Sequence, residues 1–548
     1  MRKIATLVTI AGIMVTQMFS AVPAMADTNQ NYADAFQKSI LFYEAQWCGP
    51  DAGDNRLPWR SACHTEDGKD VGLDLTGGFH DCGDHVKFQI TNQYAAATLG
   101  WDYYEFKDTF KAKGQDQYML HILKHFTDYF LKLHTDRNTL YYDVGNGDID
   151  HSYWGPPELQ DTIQPNSRPT MGKITPNNPG SDICGGTAAA LAIMYLNYKD
   201  IDSTYANKCL TAAKEIYDLG NNYRGLSKQF GGYYTSSNYW DDLAWGGVWL
   251  YQATNDKTYL TNAETILQQN NVSQYYAFNW THCWDNVLGG TLVELAKVTN
   301  DQTYKTVAEG GFRHWMNDVS KSSGGLCSFQ TWGNLRYVTA ECMTMLAYNK
   351  TFPNQSYVNF AKGQIDYILG NNPKGMSYEV GYGSNYPKFP HNRAASGRKE
   401  FAPYNESKKQ PELNIIYGEL VGGPSSSDSY NDDIEDYTYS EGGIDYNAGF
   451  VGALAGLTEV YGQSQTPSVI PGLQAAKWLK TTPTPTPTPS GLLGDLNKDG
   501  VVNNTDLALL RNYLLNHKGT IDKSIWDVNK DNKINVLDYL KLGKIIKS

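Results

Sequence analysis

The spacing of apolar residues predicts a mainly helical chain. Apolar side chains recur every three or four positions through residues 182–198, 206–219 and 284–298. This is the repeat of an α-helix that packs one face against other structure. We therefore expect a mainly α fold.

The middle of the chain also repeats. WDDLAWGG begins at Trp240, WDNVLGG at Trp284 and WGNLRYVTA at Trp332, so the units start 44 and 48 residues apart. Each unit opens an apolar helix, and in the first two units a polar turn and a second helical segment follow. Helix pairs at this period are typical of a helical solenoid or of a closed barrel of helical hairpins. The loops before the units are rich in Gly, Trp, Tyr and Asp, which predicts one face lined with rings and carboxylates.

Both ends of the chain differ from this body. Arg2 and Lys3 precede a mostly apolar stretch and the small residues Ala24 and Ala26, which is the pattern of a secretory signal peptide spanning residues 1–26. We therefore expect an exported protein, and no other segment approaches the roughly 20 apolar residues of a membrane span.

A proline-rich segment separates the body from a tail. Residues 481–490 read TTPTPTPTPS, a sequence that excludes helix and sheet interiors and favours an extended, semi-rigid spacer. The predicted order is therefore a body at 27–480, a linker at 481–490 and a tail at 491–548.

The tail contains two matching loops offset by 32 residues, followed by predicted helices at 507–515 and 539–546. Oxygen-bearing side chains occupy loop positions 1, 3, 5, 9 and 12, and position 7 offers a backbone carbonyl, as in EF-hand calcium loops. The predicted calcium ligands are Asp495, Asn497, Asp499, Val501, Asn503 and Asp506, then Asp527, Asn529, Asp531, Lys533, Asn535 and Asp538.

This duplicated tail resembles a type I dockerin, the module that attaches cellulosomal enzymes to cohesins on a scaffoldin. The resemblance implies calcium as a cofactor and a scaffoldin cohesin as a partner. Loop positions 10 and 11 help to select the cohesin in that family, and here they are Asn504 and Thr505, then Val536 and Leu537. A calcium sensor is the alternative interpretation.

Composition narrows the class of ligand. The chain has 39 Tyr, 18 Phe and 13 Trp, and many of these rings stand beside Gly, Asp and Asn. Rings in polar surroundings favour a cleft that stacks flat, amphipathic ligands such as sugars, although a large core is the alternative. A net charge of −12 disfavours nucleic acid and anionic membranes as partners and is compatible with a neutral substrate.

Three loops carry candidate chemistry. Asp81 and Asp84 stand three positions apart around a glycine, and two carboxylates near one water can orient and deprotonate it. An acidic and aromatic run contains Glu441, and a third loop offers His391 and Arg393 as donors to hydroxyl groups. Helix capping or calcium binding is the alternative role for an isolated pair of aspartates.

Five motifs follow one another along the body: DCGDH from Asp81, DIDHSYWGPPE from Asp148, WGNLRY from Trp332, PHNR from Pro390 and YNDDIEDYTYSEGGIDYNAGF from Tyr430. Together they resemble the family 9 glycoside hydrolases, a family of cellulases. The resemblance implies an (α/α)6 barrel, which the helix pairs also favour, and a monomeric catalytic domain. It implies a secreted, cellulosome-associated endo-β-1,4-glucanase that hydrolyses cellulose with inversion.

The resemblance also assigns roles. Asp84 matches the general base, Asp81 its helper in holding water, and Glu441 the general acid. An inverting pair stands about 6.5–9.5 Å apart to admit a water, and the acid needs a raised pKa because it must begin protonated. The positions that match sugar-binding residues of the family are His151, Trp154, Trp332, Arg336, His391, Arg393, Asp432 and Tyr446.

The chain departs from the family at several positions around these residues. Cys82 stands where the family usually has Ala, and Asn392 where it has a second His. Gly442 and Gly443 replace a pair such as Val-Ala after the acid. We expect these two glycines to loosen the loop of the acid without abolishing activity.

Two metal sites are predicted in the body. Cys48, Cys63, His64 and His80 form a Cys2His2 set suited to tetrahedral zinc, with a disulfide between the two cysteines as the alternative. The family resemblance supports a structural zinc there. Residues that resemble the calcium site of the family, or that simply cap helices, are Ser237, Asn238, Asp241, Asp242 and Asp285.

Two other functions stay open at this point. One is a non-catalytic carbohydrate-binding barrel, which the presence of Asp81, Asp84 and Glu441 together disfavours. The other is an inverting hydrolase of a different β-glucan, such as xyloglucan, mixed-linkage glucan or chitosan.

Overall fold

The computed structural model describes residues 30–398, 410–479, 493–497, 501–517, 521, 523–531 and 533–546. The chain divides into two compact units, a larger one that ends at Ala476 and a smaller one that begins at Lys477. The predicted signal peptide, the Thr-Pro linker and Asp499 lie outside the described residues.

Long helices dominate the described part of the larger unit. They are α1 (Tyr32–Ala45), α2 (Gln89–Ala112), α3 (Asp116–Leu133), α4 (Ser181–Tyr198), α5 (Ser203–Asn222), α6 (Trp240–Thr254), α7 (Lys257–Gln269), α8 (Leu288–Thr299), α9 (Gln302–Asn317), α10 (Asn334–Asn349), α11 (Gln355–Ile368) and α12 (Ile444–Tyr461).

Alternate helices form a closed inner ring. Helices α2, α4, α6, α8, α10 and α12 each pack against the next, and α12 packs against α2 to close the circle. Each inner helix also carries one outer helix, with α3, α5, α7, α9 and α11 following their inner partners in sequence and α1 packing on α12. The prediction of a barrel of helical hairpins is therefore confirmed, with the architecture of an (α/α)6 barrel.

The two rings differ in sequence because they differ in surroundings. The inner helix α4 buries 15 of its 18 residues and is apolar on every side. The outer helix α5 buries 8 of 20 and keeps a polar face towards solvent. Small residues let inner helices approach closely: a Cβ atom added at Gly449 of α12 would lie 2.5 Å from the Cα atom of Ala340 in α10.

Long loops at one end of the barrel carry the remaining elements. A small antiparallel sheet in the order β1-β2-β3 pairs Leu140 with Ile174 and Val144 with Thr170. Its strands are β1 (His134–Asp136), β2 (Thr139–Val144) and β3 (Thr170–Ile174). Short helices lie at Gly147–Asp150, Pro157–Ile163 and Tyr437–Ser440, and 3-10 turns at Ala52–Asp54, Lys69–Val71, Val272–Gln274 and Ala394–Ser396.

The smaller unit is a separate helical pair with its own core. Helices α13 (Asn504–Asn516) and α14 (Val536–Ile545) each begin three residues before the predicted start. The reason is a capping box at each N-terminus, formed by Asn503 with Asp506 and by Asn535 with Asp538. The short helix Lys523–Trp526 precedes the second loop. The core consists of Leu496, Leu510, Ile525, Trp526, Val528 and Leu542.

Within the described residues, every helix falls short of the length and apolarity needed to cross a bilayer.

The close approach of α10 and α12 generates a stability prediction. We expect Gly449→Val to lower the free energy of unfolding by about 1–3 kcal/mol, because the added atoms overlap the backbone of Ala340. Gly363→Ala is the matched control, since Gly363 is exposed on the outer helix α11 and a Cβ atom there meets nothing within 4 Å, so this change should raise the free energy of unfolding by about 0.5–1 kcal/mol. Thermal unfolding midpoints would measure both changes, and an unchanged midpoint for Gly449→Val would contradict the tight inner ring.

Candidate active site

A cavity of about 520 Å³ opens among the loops at one end of the barrel. All three candidate catalytic carboxyl groups reach it. Six of the eight predicted sugar-binding positions lie in its wall as well, and rings form much of the remainder. The lining residues are Asp81, Cys82, Asp84, Phe88, His151, Gly232, Tyr233, Tyr234, Trp284, Trp332, Arg336, His391, Arg393, Tyr437, Glu441 and Tyr446.

The loop that carries Asp81 and Asp84 is closed on itself and pinned at both ends. The amide of Asp81 donates to the carbonyl of Val86 at 3.0 Å, and the amide of Val86 donates to the Asp84 carboxylate at 3.1 Å. Lys87 then exchanges two backbone hydrogen bonds with Val144 of β2, each 3.0 Å long. The small sheet therefore fixes where the loop leaves the site.

The loop that carries Glu441 is bonded directly to the first loop. The amide of Ile444, the first residue of α12, donates to the Asp81 carbonyl at 2.9 Å. The amide of Gly83 donates to Oε1 of Glu441 at 3.2 Å. These two hydrogen bonds therefore tie the acid loop directly to the aspartate loop.

A third loop joins the other two. The amide of His391 donates to the carbonyl of Ser440 at 3.0 Å, and the amide of Arg393 donates to the carbonyl of Gly83 at 2.8 Å. Nδ1 of His391 donates to the Ile434 carbonyl at 2.6 Å, which fixes the orientation of the ring.

Neighbouring charges shift the pKa values of the two principal carboxyl groups in opposite directions. Burial raises the pKa of Asp84, but the hydrogen bond from His151 at 2.8 Å and the charges of His151 and Arg393 outweigh it, so this pKa lies below its ordinary value. Burial and the charge of Asp84 raise the pKa of Glu441 to about 7. One group is thus an ionised base and the other a protonated acid over a shared range of pH.

The third carboxyl group, Asp81, does not compete for the negative charge. Burial and the charges of Asp84 and Asp445 raise its pKa well above the ordinary value. Its Oδ2 atom accepts a short hydrogen bond from the hydroxyl of Tyr234. The negative charge of the aspartate pair therefore resides on Asp84.

Aromatic side chains occupy two different depths in the site. Trp332 is 48 % exposed and stands 5.3 Å from the ring of Tyr437, which is 43 % exposed, so these two rings form an open platform. Tyr446 reaches the cavity but is 1 % exposed. The Arg336 guanidinium lies 4.7 Å above its ring and pairs with Asp445 at 3.0 Å. Tyr446 is therefore part of the floor.

Two of the predicted sugar-binding residues lie outside the cavity wall. Trp154 is buried behind it, edge-on to His391 at 4.9 Å, with the Arg393 guanidinium 5.0 Å from its ring. Asp432 accepts hydrogen bonds from the amides of Lys388 at 2.7 Å and Phe389 at 3.1 Å. Both support the loop that presents His391 and Arg393.

Sequence reasoning gave no role to several wall residues. Tyr234, which bonds Asp81, is the most important of them, and its ring stands edge-on to Trp284 at 5.0 Å. Its one signal in the sequence is the run Gly231-Gly232-Tyr-Tyr, in which both glycines adopt positive φ. The wall residues missed in this way are Phe88, Gly232, Tyr233, Tyr234, Trp284 and Tyr437.

The predicted zinc ligands converge beside the base loop. One donor atom from each of Cys48, Cys63, His64 and His80 lies within 4.8 Å of all the others, and all four residues are buried. His64 Nε2 donates to Gln160 Oε1 at 2.9 Å, so the lone pair of the ring is on Nδ1. This Nδ1 atom lies 3.0 Å from His80 Nε2. All eight cysteines are free thiols, including these two, so the donor chemistry fits a tetrahedral zinc ion.

The predicted calcium residues of the barrel meet between two helix pairs. Asp285 accepts from the Ser237 amide at 2.6 Å, and Asp241 Oδ2 accepts from the Val287 amide at 2.8 Å. The other oxygen of Asp241 is buried without a hydrogen-bond partner among the described residues, which fits a cation at that point. Asn238 accepts from the Trp240 amide at 3.2 Å, and burial raises the pKa of Asp242 well above its usual value.

The second loop of the smaller unit is arranged for a cation. Carboxylate oxygens of Asp527, Asp531 and Asp538 lie within 4.8 Å of one another. In both loops the last aspartate also braces the backbone, since Asp506 accepts from Leu496 at 2.7 Å and Asp538 accepts from Asn529 at 3.0 Å. The predicted ligands Asn503 and Asn535 use their side chains as helix caps.

Comparison with known proteins gives consistent similarities. Residues 32–454 match the family described as glycosyl hydrolase family 9, and residues 493–547 match the dockerin type I domain. The chain is 38 % identical to endoglucanase A of Bacillus pumilus over 455 residues, covering 80 % of this chain and 67 % of that protein. It is 35 % identical to endoglucanase 15 of Arabidopsis thaliana, covering 82 % of this chain and 98 % of that protein.

Solved structures agree with these sequence similarities. The crystal structure of the cellulase Cel9M of C. cellulolyticum is 48 % identical, with a TM-score of 0.74, and the match covers 79 % of this chain and 99 % of that one. Its complex with cellobiose matches with a TM-score of 0.76.

Proposed function

The chain belongs to glycosyl hydrolase family 9, as an endoglucanase with a type I dockerin domain, and from this premise we propose that it cleaves the β-1,4 bonds of cellulose with inversion. We further propose that it is exported and attached through its dockerin to a scaffoldin cohesin. The catalytic unit acts as a monomer in this scheme.

One observation carries the mechanism, namely that Asp84 and Glu441 share a single cavity and have pKa values shifted in opposite directions. An inverting hydrolase needs a base that is already ionised and an acid that still holds its proton. The lowered pKa of Asp84 and the raised pKa of Glu441 meet both requirements at mildly acidic pH.

The reaction is a single displacement at the anomeric carbon. Asp84 takes a proton from a water molecule while the water oxygen forms a bond to that carbon. The bond to the glycosidic oxygen breaks at the same time, and the leaving oxygen takes the proton of Glu441. Asp81, held by Tyr234, orients the water. The products are two shorter chains. Before the next turnover Asp84 releases its proton to solvent and Glu441 takes one up.

The cavity wall supports binding of a glucan chain. The open rings of Trp332 and Tyr437 offer apolar faces on which pyranose rings stack. Arg393 and His391 lie in the same wall and offer polar atoms for hydroxyl groups.

Export and cohesin docking rest on the two ends of the chain. The signal-like residues 1–26 support secretion, and the dockerin implies calcium, which takes the oxygen ligands that the two loops supply. Val536, Leu537 and Leu540 are more than half exposed on α14, so an apolar face is free for a cohesin. The signal-like segment and the dockerin together support a location in the cellulosome.

Metal ions in the barrel complete the proposal. Zinc would be held by Cys48, Cys63, His64 and His80, and would supply a rigid cross-link beside Asp81. Calcium would be held around Asp241 and Asp285, where it would balance buried carboxylates between two helix pairs. Neither ion takes part in the displacement.

Substitution of the two principal carboxyl groups tests the chemistry. We expect Glu441→Gln and Asp84→Asn each to lower kcat on cello-oligosaccharides by about 10²–10⁴-fold, because proton transfer in the transition state is lost. Binding measured by calorimetry should persist. The exposed carboxylate of Asp318 provides a control, and Asp318→Asn should leave kcat unchanged.

The stereochemical outcome is tested on the wild-type enzyme in the same series. NMR of the first product should detect the α-anomer, because the β-bond is inverted. Initial formation of the β-anomer, or full activity of Glu441→Gln, would refute the mechanism. Preferred cleavage of xyloglucan, mixed-linkage glucan or chitosan in a panel of substrates would reassign the glucan.

The pH profile follows from the same charges. Activity should fall as pH rises through the pKa of Glu441, about 7, because the acid loses its proton. It should fall again at low pH, where Asp84 gains a proton. The hydrogen bond from His151 lowers the pKa of Asp84, and the charge of His151 lowers the pKa of both Asp84 and Glu441. His151→Asn should therefore move both limbs of the kcat/KM profile to higher pH. The profile of His314→Asn, a histidine of the outer helix α9, should match the wild type, and a downward shift for His151→Asn would contradict this electrostatic arrangement.

Metal analysis tests the zinc site. The purified chain should contain one zinc ion per molecule in addition to calcium, and Cys63→Ser should lose the zinc and lower the unfolding midpoint, because buried donors then lack their ion. Cys209→Ser provides a matched control, since Cys209 is an equally buried free thiol of the outer helix α5. Recovery of a Cys48–Cys63 disulfide by peptide mass spectrometry would replace the zinc proposal.

A further inference from the structure

A fully buried carboxyl group, Glu419, lies behind the loop of the general acid. It is 0 % exposed and belongs to a segment that runs beside that loop. The amide of Gly422 donates to the Glu441 carbonyl at 2.8 Å, and the amide of Gly423 donates to the Tyr439 carbonyl at 3.0 Å. Neither the sequence motifs nor the reaction scheme gives Glu419 a role.

Side-chain hydrogen bonds connect Glu419 to the opposite catalytic loop. Nδ2 of Asn392 lies 3.4 Å from Glu419 Oε1 and 3.2 Å from Gln46 Oε1. Nε2 of Gln46 in turn donates to the carbonyl of Cys82, which stands between the two aspartates. All three side chains in this chain of contacts are 0 % exposed. Water therefore does not replace these bonds.

The stem of Glu419 also fills space that the acid loop leaves vacant. A Cβ atom added at Gly442 would lie 2.4 Å from Glu419 Cγ and 2.9 Å from its Oε1. The space beside the next glycine is occupied by Cys82, since a Cβ atom at Gly443 would lie 2.6 Å from Cys82 Sγ. The two glycines that were expected to loosen the loop are thus packed against larger side chains.

We propose that Glu419 is a positioning residue for the general acid, which it holds through its packing against Gly442 and its link through Asn392 and Gln46 to the aspartate loop. This inference rests on the proposed function and deepens it. Glu419 touches no reacting atom, so its effect is on the placement of the Glu441 proton.

The protonation state of Glu419 is compatible with this role. Burial raises its pKa to about 8, and the charge of Glu441 contributes in the same direction. Glu419 is therefore neutral in the pH range in which Glu441 carries its proton. A neutral carboxyl group accepts the Asn392 hydrogen bond without placing a second negative charge behind the acid.

The test compares substrates that need the acid to different extents. A cello-oligosaccharide has a poor leaving group that must be protonated, whereas 2,4-dinitrophenyl β-cellobioside releases a stable phenolate without a proton. We expect Glu419→Ala to lower kcat on the oligosaccharide by about 10- to 100-fold, since small misplacements of catalytic groups have effects of this size. On the dinitrophenyl substrate the loss should stay below threefold.

Two variants separate positioning from general damage to the fold. Glu419→Gln retains size and an acceptor oxygen and should restore oligosaccharide activity to within about threefold of wild type. Glu341→Ala removes another buried glutamate with a pKa raised to about 8, on the inner helix α10. This substitution should lower the unfolding midpoint but change kcat on both substrates by the same factor.

A double-mutant cycle tests the contact with Gly442 itself. Gly442→Ala should reduce oligosaccharide activity in the wild-type background, because the added methyl group overlaps Glu419. In the Glu419→Ala background, Gly442→Ala should reduce oligosaccharide activity by a smaller factor. The overlap of the added methyl group with the Leu420 carbonyl at 2.8 Å is present in both backgrounds, so its effect cancels in the cycle.

The outcomes distinguish this inference from the proposed function. Equal losses on both substrates for Glu419→Ala, or additive effects in the cycle, would overturn the positioning role while leaving the hydrolase intact. Full activity of Glu441→Gln on the oligosaccharide would overturn the proposed mechanism and, with it, this inference.

Discussion

An ionised carboxylate and a protonated carboxyl group have to share one buried cavity, and the arrangement of the active-site loops follows from that constraint. Burial alone would raise the pKa of both Asp84 and Glu441. The hydrogen bond and charge of His151 lower the first, while the resulting negative charge on Asp84 raises the second. The opposite pKa shifts therefore depend on the low polarity of the site and on two positively charged neighbours of Asp84, His151 and Arg393.

Such a division is useful only if the two groups keep their spacing. The amide of Ile444 bonds to the Asp81 carbonyl and the amide of Gly83 bonds to the Glu441 carboxyl group, so the two loops are tied together. The amides of Arg393 and His391 tie a third loop to the aspartate loop and to the acid loop, respectively. The helix that follows the acid, α12, belongs to the inner ring and is packed against α10 at Gly449. The barrel thus supplies a rigid base, and the loops supply the chemistry.

The departures from the usual family pattern are mutually consistent in three dimensions. Taken alone, the glycine pair at 442 and 443 suggests a looser acid loop. In the folded chain Cys82 packs at Gly443, Glu419 packs at Gly442, and Asn392 connects Glu419 to Gln46. Close packing in a buried region requires such volume exchange, because a side chain lost at one position leaves a cavity unless a neighbour fills it.

Periodicity determined the parts of the structure that depend on local repeats. Helix pairs follow from apolar spacing, and the calcium loops follow from oxygen ligands at fixed positions, because both kinds of element are built from residues that are near in sequence. The motifs also predicted Asp81, Asp84 and Glu441 as the catalytic carboxyl groups, and all three line one cavity. Only the tertiary structure distinguished the exposed Trp332 from the buried Tyr446 and placed Trp154 and Asp432 outside the cavity wall. Only the tertiary structure showed that Tyr234 contacts Asp81 and that Glu419 lies behind the acid loop. These roles depend on contacts between residues that are up to several hundred positions apart, and burial and pKa shifts are created by such contacts alone.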